Sequence, residues 1–288
     1  MINAPQINYI KCRNHKQEYR MFYTSWGSQE LSDKTLICVH GLNRNSRDWD
    51  YIGDYFSKKG YYVVAPDIVG RGNSDYLNDP MGYDIPFYVA DIFNLIHTLG
   101  LKNVDFLGTS MGGLIAMAMA TMSHNPIRKM ILNDIGAEIE KDGLTRISCY
   151  STKQPVFDTY TLAKDYLISI SNEFGDLPKY VWDNYALNSL QKNSSGKYEL
   201  KRDVNLAKPL AIAAPSDKNM DLWAYWDKIT IPTLVIRGEL SDILSTKTVK
   251  LMQETKPDTK TVEVANAGHA PFLYSEEHFS FLEKFLEA

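Results

Sequence analysis

Ser110 lies in the segment GTSMGG, between Gly108 and Gly112, and this arrangement is typical of an activated nucleophile. The apolar run VDFL precedes it and GGLIAMAMAT follows it, so the sequence predicts a strand, a sharp turn and a helix. Glycine at both flanking positions lets the chain turn without a Cβ collision. Because a serine hydroxyl is a poor nucleophile, the chemistry also needs a histidine as base and an acid that orients it.

His269 is the predicted base. It lies in ANAGHAP, after the strand-like segment KTVEVA and before the last helical segment, so it should emerge at the same end of the sheet as Ser110. We expect His40 to hold its own loop by hydrogen bonds. The other histidines are interpreted as structural, as solvated, or as lacking a nearby acid and nucleophile: His15, His97, His124 and His278.

Two aspartates are the main candidates for the acid. Asp242, in RGELSDIL, follows the strand-like TLVIRG and gives the chain order Ser, Asp, His that is expected of such a triad. Asp134, in LNDIG, also ends a predicted strand and is the alternative. We predict Asp242 as the acid and rank Glu239 and Asp67 below these two.

The negative charge that develops on a carbonyl oxygen during acyl transfer needs preorganised N–H donors. Met111 follows the nucleophile at the predicted helix start and supplies one amide. The loop VHGLNRNSRDW follows an earlier strand and turns at Gly41, so it presents the amide of Leu42. The sequence therefore predicts an oxyanion hole formed by Leu42 and Met111.

Composition narrows the class of protein. The 288 residues are 44% hydrophobic with a net charge of −4, and they show no basic stripe, so we expect no nucleic-acid partner. No apolar run reaches the roughly 20 residues that cross a bilayer, and the first residues lack a secretory pattern, so we expect a cytoplasmic protein. The three cysteines are widely spaced and suggest neither a disulfide framework nor a metal site.

Strand-like and helix-like segments alternate from residue 35 onward, and the strands are continuous Val/Ile/Leu-rich runs, as strands buried on both faces require. We therefore predict an α/β fold with a mostly parallel sheet covered by helices. QINYIK and YRMFYTSWG predict an antiparallel pair at one edge. Helices are predicted at IPFYVADIFNLIHTLG and at SEEHFSFLEKFLEA, the second with Ser275 as N-cap.

The interval between Asp134 and Thr230 is far longer than a crossover between parallel strands requires. It has helical character in TLAKDYLISISNEFG, KYVWDNYALNSLQ and NMDLWAYWDKI, and it is rich in aromatic residues. We expect this insertion to fold over the carboxyl ends of the strands, where ligands bind. Trp182, Tyr185 and Trp223 are its candidate substrate contacts, and they indicate a partly apolar substrate.

The motifs HGLN, DIVGRGNSD, GTSMGG, RGELSD and GHAP, in this order, resemble the α/β-hydrolase fold superfamily, and most of all its bacterial serine esterases and lipases. The resemblance implies a mostly parallel eight-stranded sheet with helices on both faces and an inserted helical cap. It implies a core of residues 1–136 and 229–288 and a cap of residues 137–228. It also implies a catalytic triad of Ser110, Asp242 and His269 with an oxyanion hole from Leu42 and Met111.

The expected activity is hydrolysis of small carboxylic esters through an acyl-enzyme on Ser110, with no metal or organic cofactor. Two alternatives stay open. One is a carbon–carbon bond or amide hydrolase that uses the same triad. The other is a ligand-binding receptor with slow turnover. The sequence gives no indication of oligomeric state.

Overall fold

Strands and helices alternate along the chain in the computed structural model, which describes residues 4–14, 16–30, 32–213 and 217–288. Within these ranges the strands are β1 (Gln6–Arg13), β2 (Glu18–Trp26), β3 (Lys34–Val39), β4 (Tyr61–Pro66), β5 (Val104–Thr109), β6 (Ile127–Asn133), β7 (Glu138–Ile139), β8 (Leu190–Lys192), β9 (Tyr198–Leu200), β10 (Met220–Asp221), β11 (Thr233–Gly238) and β12 (Lys260–Val264). The α-helices are α1 (Asp50–Lys58), α2 (Ile85–Thr98), α3 (Met111–Ala120), α4 (Lys141–Ser151), α5 (Tyr160–Ser169), α6 (Lys179–Ser189), α7 (Lys208–Ala213), α8 (Trp223–Trp226), α9 (Thr246–Thr255) and α10 (Glu276–Glu287).

Eight of the described strands form one sheet in the order β1-β2-β4-β3-β5-β6-β11-β12. β2 pairs antiparallel with both β1 and β4, and every other pairing in this sheet is parallel. The predicted antiparallel edge pair and the predicted mostly parallel sheet are therefore confirmed. β4, β5 and β11 are buried at every position, which explains why apolar residues predominate in them.

Helices cover both faces of the sheet. Successive side chains of a strand point to opposite faces, so each strand contributes to the apolar packing on both sides. On β3, Ile37 and Val39 pack in the cluster that contains α2 and α3, whereas Leu36 and Cys38 pack in the cluster that contains α1 and α10. The two helices predicted outside the insertion, α2 and α10, are confirmed. α10 begins after Ser275, which caps it.

The segment between β6 and β11 carries a third apolar cluster, formed mainly by side chains of α5, α6 and β9 with Phe272. The predicted helices at α5 and α6 are confirmed. The predicted helix at NMDLWAYWDKI is wrong at its start, where Met220–Asp221 forms β10 and pairs with β7, so that only Trp223–Trp226 is helical. The β8–β9 hairpin was not predicted, because strands of three residues are too short to show a period of two.

No helix in the described part of the chain is both long enough and apolar enough to cross a membrane.

Candidate active site

Ser110 stands on a tight turn between β5 and α3. Its φ is 50°, in the left-handed region that serine rarely adopts, and its N–H donates to the Asn133 carbonyl oxygen at 3.0 Å. A Cβ at Gly108 would lie 2.3 Å from the Gly112 carbonyl carbon, and one at Gly112 would lie 2.1 Å from the Val39 carbonyl oxygen. Both glycines are thus required by close backbone contact. The tight turn that they allow places Ser110 at the carboxyl end of β5.

His269 connects this serine to a buried carboxylate. Its Nε2 lies 2.9 Å from Ser110 Oγ, and its Nδ1 lies 2.7 Å from Asp134 Oδ2. The His269 side chain is 7% exposed and that of Asp134 is fully buried. Since a carboxylate accepts, Nδ1–H donates to Asp134, which leaves Nε2 free to accept the Ser110 hydroxyl proton.

Asp134 follows β6 directly and is held by two further donors. The Gly238 amide donates to Oδ1 at 2.8 Å, and the Ser241 hydroxyl donates to Oδ2 at 2.6 Å. Gly238 ends the neighbouring strand β11, so the carboxylate is anchored across two adjacent strands. These contacts fix the side chain that orients His269.

The prediction that Asp242 is the acid is wrong. Both Asp242 oxygens accept from Arg146, at 2.6 Å from Nε and 2.7 Å from Nη2, and Nη2 lies 2.7 Å from Glu173 Oε2. Burial raises the pKa of Asp242, but the hydrogen bonds and charge of Arg146 outweigh it and hold the pKa below its usual value. Asp242 lies four positions beyond β11, where Arg146 of α4 binds it, whereas Asp134 lies next to the histidine.

Leu42 and Met111 both line the cavity onto which Ser110 opens. In the part of the chain that the structure describes, no hydrogen bond uses the amide N–H of either residue. Arg71 links them, because its Nε donates to the Leu42 carbonyl at 2.9 Å and its Nη2 lies 3.3 Å from the Met111 sulfur. Arg71 belongs to the motif DIVGRGNSD, but no role was predicted for it from the sequence.

His40 is fully buried, and both of its ring nitrogens are used. Nε2 accepts from the Ile68 amide at 3.0 Å, so Nδ1 is the donor to the Gly41 carbonyl oxygen at 2.7 Å. Burial lowers the pKa of His40 to about 3. His40 therefore holds its loop, as expected. Of the remaining histidines, His97 and His124 are exposed, His278 lies in the N-terminal cap of α10, and His15 lies outside the described residues.

The cavity has a volume of about 270 Å³. Most of its wall is apolar, including Leu114, Ile139, Leu144 and Ile147, and two arginines, Arg44 and Arg202, also line it. Its lining comes both from the sheet and from the insertion between β6 and β11. This arrangement suits a small, partly apolar ligand.

Only one of the three predicted substrate contacts lines the cavity. Tyr185 does, and its hydroxyl lies 3.3 Å from Ser171 Oγ. Trp182 instead packs against Phe174 with a ring-centroid distance of 6.1 Å, and Trp223 packs against the apolar core at the start of α8. The prediction is therefore wrong for both tryptophans, whose large rings stabilise packing within the insertion and against the core.

Among the described residues, no group of three or more His, Cys, Asp or Glu side chains could hold a metal ion.

Comparison with known proteins places this geometry in a family. The model of the alpha/beta hydrolase fold matches residues 34–276. The chain belongs to the alpha/beta hydrolase fold family. Hydrolases of this fold commonly carry a serine on such a turn, with the acid and the histidine following it in chain order.

Relatives of this alpha/beta hydrolase extend over nearly its whole length. It is 35% identical over 277 residues to a 3-hydroxybutyrate-oligomer hydrolase of Cupriavidus necator, which covers 94% of each chain. A putative hydrolase from Rickettsia typhi superposes with a TM-score of 0.90 at 31% identity, covering 98% of this chain and 99% of the other. An alpha/beta hydrolase from Novosphingobium aromaticivorans superposes with a TM-score of 0.84 at 31% identity and covers 98% of each chain. These relatives support hydrolase activity.

Proposed function

We propose that this alpha/beta hydrolase cleaves small carboxylic esters with Ser110 as nucleophile, His269 as base and Asp134 as the orienting acid. The observation that carries the proposal is the continuous chain from Ser110 Oγ to His269 Nε2 at 2.9 Å and from His269 Nδ1 to Asp134 Oδ2 at 2.7 Å. Nucleophile, base and acid in hydrogen-bond contact are what acyl transfer requires.

In the proposed reaction, His269 Nε2 takes the Ser110 proton as Oγ bonds to the ester carbonyl carbon. The tetrahedral intermediate collapses, the C–O bond to the alcohol breaks, and His269 gives its proton to the leaving alkoxide. Water then loses a proton to His269 and attacks the acyl-enzyme. The acid is released, and the proton returns to Ser110.

The amides of Leu42 and Met111 are the proposed oxyanion hole. Met111 begins α3, so its N–H points away from the helix at an end where the dipole favours negative charge. Arg71 supports the Leu42 loop from its carbonyl side, which keeps the loop backbone fixed next to Met111. Fixed donors stabilise a developing oxyanion without reorganising.

Residues 137–228 are proposed to act as a cap over this site. Side chains from α4, α5 and α6 line the same cavity as Ser110, including Ile147, Leu167 and Tyr185. Such a cover excludes water from the acyl-enzyme and limits the size of the substrate. The apolar wall and the name of the Cupriavidus relative, a 3-hydroxybutyrate-oligomer hydrolase, both favour an ester of modest length.

The test is turnover of p-nitrophenyl esters of graded chain length by the wild type, Ser110→Ala and Ser171→Ala. Ser171 also lines the cavity, but its hydroxyl is hydrogen-bonded to Tyr185 and to no other side chain among those described, so it is the matched control. We expect Ser110→Ala to lose several orders of magnitude in kcat and Ser171→Ala to stay within about tenfold of the wild type. Ester turnover by Ser110→Ala at the wild-type rate would contradict the proposal.

If the folded wild type hydrolyses no ester, a panel of diketones and aminoacyl amides tests the same triad on other carbonyl substrates. Hydrolysis of that panel alone would replace the ester assignment. Ligand-dependent thermal stabilisation with no turnover of either panel would replace it with ligand binding.

A further inference from the structure

Arg202 places an uncompensated positive charge in the wall of the catalytic cavity. The residue is 2% exposed, and it lines the same cavity as Ser110 and His269. In the described part of the chain it forms no ion pair. Its Nη1 and Nη2 donate to the carbonyl oxygens of Ser151 and Lys153 at 2.6 and 2.7 Å, while its buried Nε–H has no acceptor.

The other cavity arginine differs in this respect. Arg44 forms an ion pair with Asp48, and its guanidinium carbon lies 4.1 Å from the ring centroid of Phe174. Asp84 is the one Asp or Glu among the described lining residues, and it is exposed and caps α2 through the Ile85 amide. No carboxylate of the described lining therefore neutralises Arg202.

A buried guanidinium without an anion is costly, because its hydration is lost and no opposite charge replaces it. Burial is the main cause that lowers the pKa of Arg202 to about 10; the nearby positive charge of Arg71 also lowers it, and the neighbouring tyrosines raise it in part. Arg71 also forms no ion pair in the described part of the chain, and the two residues meet in an isolated antiparallel bridge. This part of the cavity wall therefore favours a negatively charged ligand.

Two phenols lie beside this charge. Tyr150 and Tyr185 line the cavity, and both interact electrostatically with Arg202. A phenol can donate a hydrogen bond to a carboxylate whose charge is balanced by the guanidinium. The cavity thus combines an apolar wall, a nucleophile and a group of donors that suits a carboxylate.

We propose that Arg202 binds a free carboxylate of the substrate, so that the preferred substrates are esters that also carry a carboxylate group. This inference rests on the proposed ester hydrolysis at Ser110. Two kinds of ester have this chemistry: half-esters of dicarboxylic acids carry the carboxylate on the acyl side, and acylated hydroxy acids carry it on the alcohol side.

The experiment compares matched pairs of esters on one enzyme preparation. One pair is mono-p-nitrophenyl succinate and its methyl ester, and the other is 3-butanoyloxybutanoate and its methyl ester. The measured quantity is the ratio of kcat/KM for the acid to kcat/KM for its neutral methyl ester. Both substrates of a pair are assayed with the same preparation, so they are exposed to the same concentration of folded enzyme. The ratio is therefore independent of any loss of stability in a variant.

We expect the wild type to prefer the acid of at least one pair, and that pair identifies the side that carries the carboxylate. Arg202→Gln should lower this ratio by roughly 10- to 100-fold, because hydrogen bonds to a charged group are the strong ones. Arg202→Lys should restore part of it. Arg128→Gln, which removes a charge at the opposite end of β6 from Asp134, is the control and should leave the ratio unchanged.

A wild type that hydrolyses the neutral esters as well as the acids would overturn the carboxylate site while leaving ester hydrolysis intact. An Arg202→Gln ratio equal to that of the wild type would also overturn it, and would reduce Arg202 to a support for the end of α4. Failure of the proposed function gives a different result, because no ester of either pair would then be hydrolysed through Ser110.

Discussion

His269 Nδ1 lies 2.7 Å from Asp134 Oδ2, and Asp134 follows β6, not β11. β6 lies between β5, which leads to Ser110, and β11, so Ser110 and Asp134 directly follow adjacent parallel strands. The carboxylate that the sequence favoured, Asp242, instead binds Arg146 of the insertion. The two carboxylates therefore have separable roles.

Asp134→Asn should lower kcat roughly 10³- to 10⁴-fold, because an amide cannot hold His269 in the tautomer that accepts from Ser110. Asparagine tolerates the φ of 56° at this position, so the fold should be kept. Steady-state ester hydrolysis measures the loss.

Asp242→Asn is the matched control for that variant. It weakens the pairing with Arg146 but leaves Arg146 beside Glu173, so kcat should fall less than about tenfold. If Asp242→Asn lost as much activity as Asp134→Asn, the assignment of the acid would have to be reversed.

Sequence reasoning brought Ser110 and His269 together because the positions of both residues depend on local pattern. The turn at Ser110 is set by Gly108 and Gly112, and the position of His269 by the strand before it. The choice between Asp134 and Asp242 is not local. Both aspartates follow strands whose carboxyl ends lie on the same side of the sheet. They differ because Asp242 binds Arg146, which is 96 residues away in the chain.

The same limit explains the tryptophans and the arginines. Trp182 and Tyr185 lie three positions apart on α6, but only Tyr185 lines the cavity, and composition cannot tell such neighbours apart. Arg71 and Arg202 lie far apart in the chain and meet only in the folded structure. A buried arginine with no carboxylate partner results from the fold, and no sequence motif predicts it.

Gly112→Ala should destabilise the fold by about 3 kcal/mol or more, because the new methyl group would overlap the Val39 carbonyl oxygen. Gly41→Ala is the comparison, since its Cβ would meet only ordinary contacts at 3.6 to 3.8 Å and should cost less than about 1 kcal/mol. Urea unfolding measures both. Equal losses would show that α3 and β3 are not in close backbone contact.

His40 should make the protein less stable at acid pH. Its pKa is about 3 in the fold and near 6.5 when unfolded, so the unfolded chain binds an extra proton between these values and stability falls as pH drops through that window. Between about pH 6.5 and pH 5 this group should cost about 2 kcal/mol.

The test measures the free energy of unfolding at about pH 7 and about pH 5 for the wild type, His40→Gln and His124→Gln. Burial also raises the pKa of Asp48 and of Asp91 to about 6, which acts in the opposite direction, so the difference between variants isolates His40. His40→Gln should show the smaller loss at pH 5. Because His124 is exposed, its variant should match the wild type, and three equal losses would argue against a buried neutral His40.

Leu144→Trp should shift ester preference toward short acyl chains, because Leu144 of α4 lines the apolar part of the cavity. We expect kcat/KM for octanoate relative to acetate to fall at least about tenfold. Leu162→Trp, on the exposed side of α5, is the control. An unchanged chain-length profile in Leu144→Trp would mean that acyl chains do not occupy this wall.

Direct capture of the acyl-enzyme tests the central claim. The protein is mixed with p-nitrophenyl acetate, quenched in acid within the burst phase, digested and analysed by mass spectrometry. The account predicts a burst of p-nitrophenolate and an acetyl group on the peptide that carries Ser110, with neither seen in Ser110→Ala. An acetyl group on another residue at the burst amplitude, or full turnover with no adduct on Ser110, would contradict it.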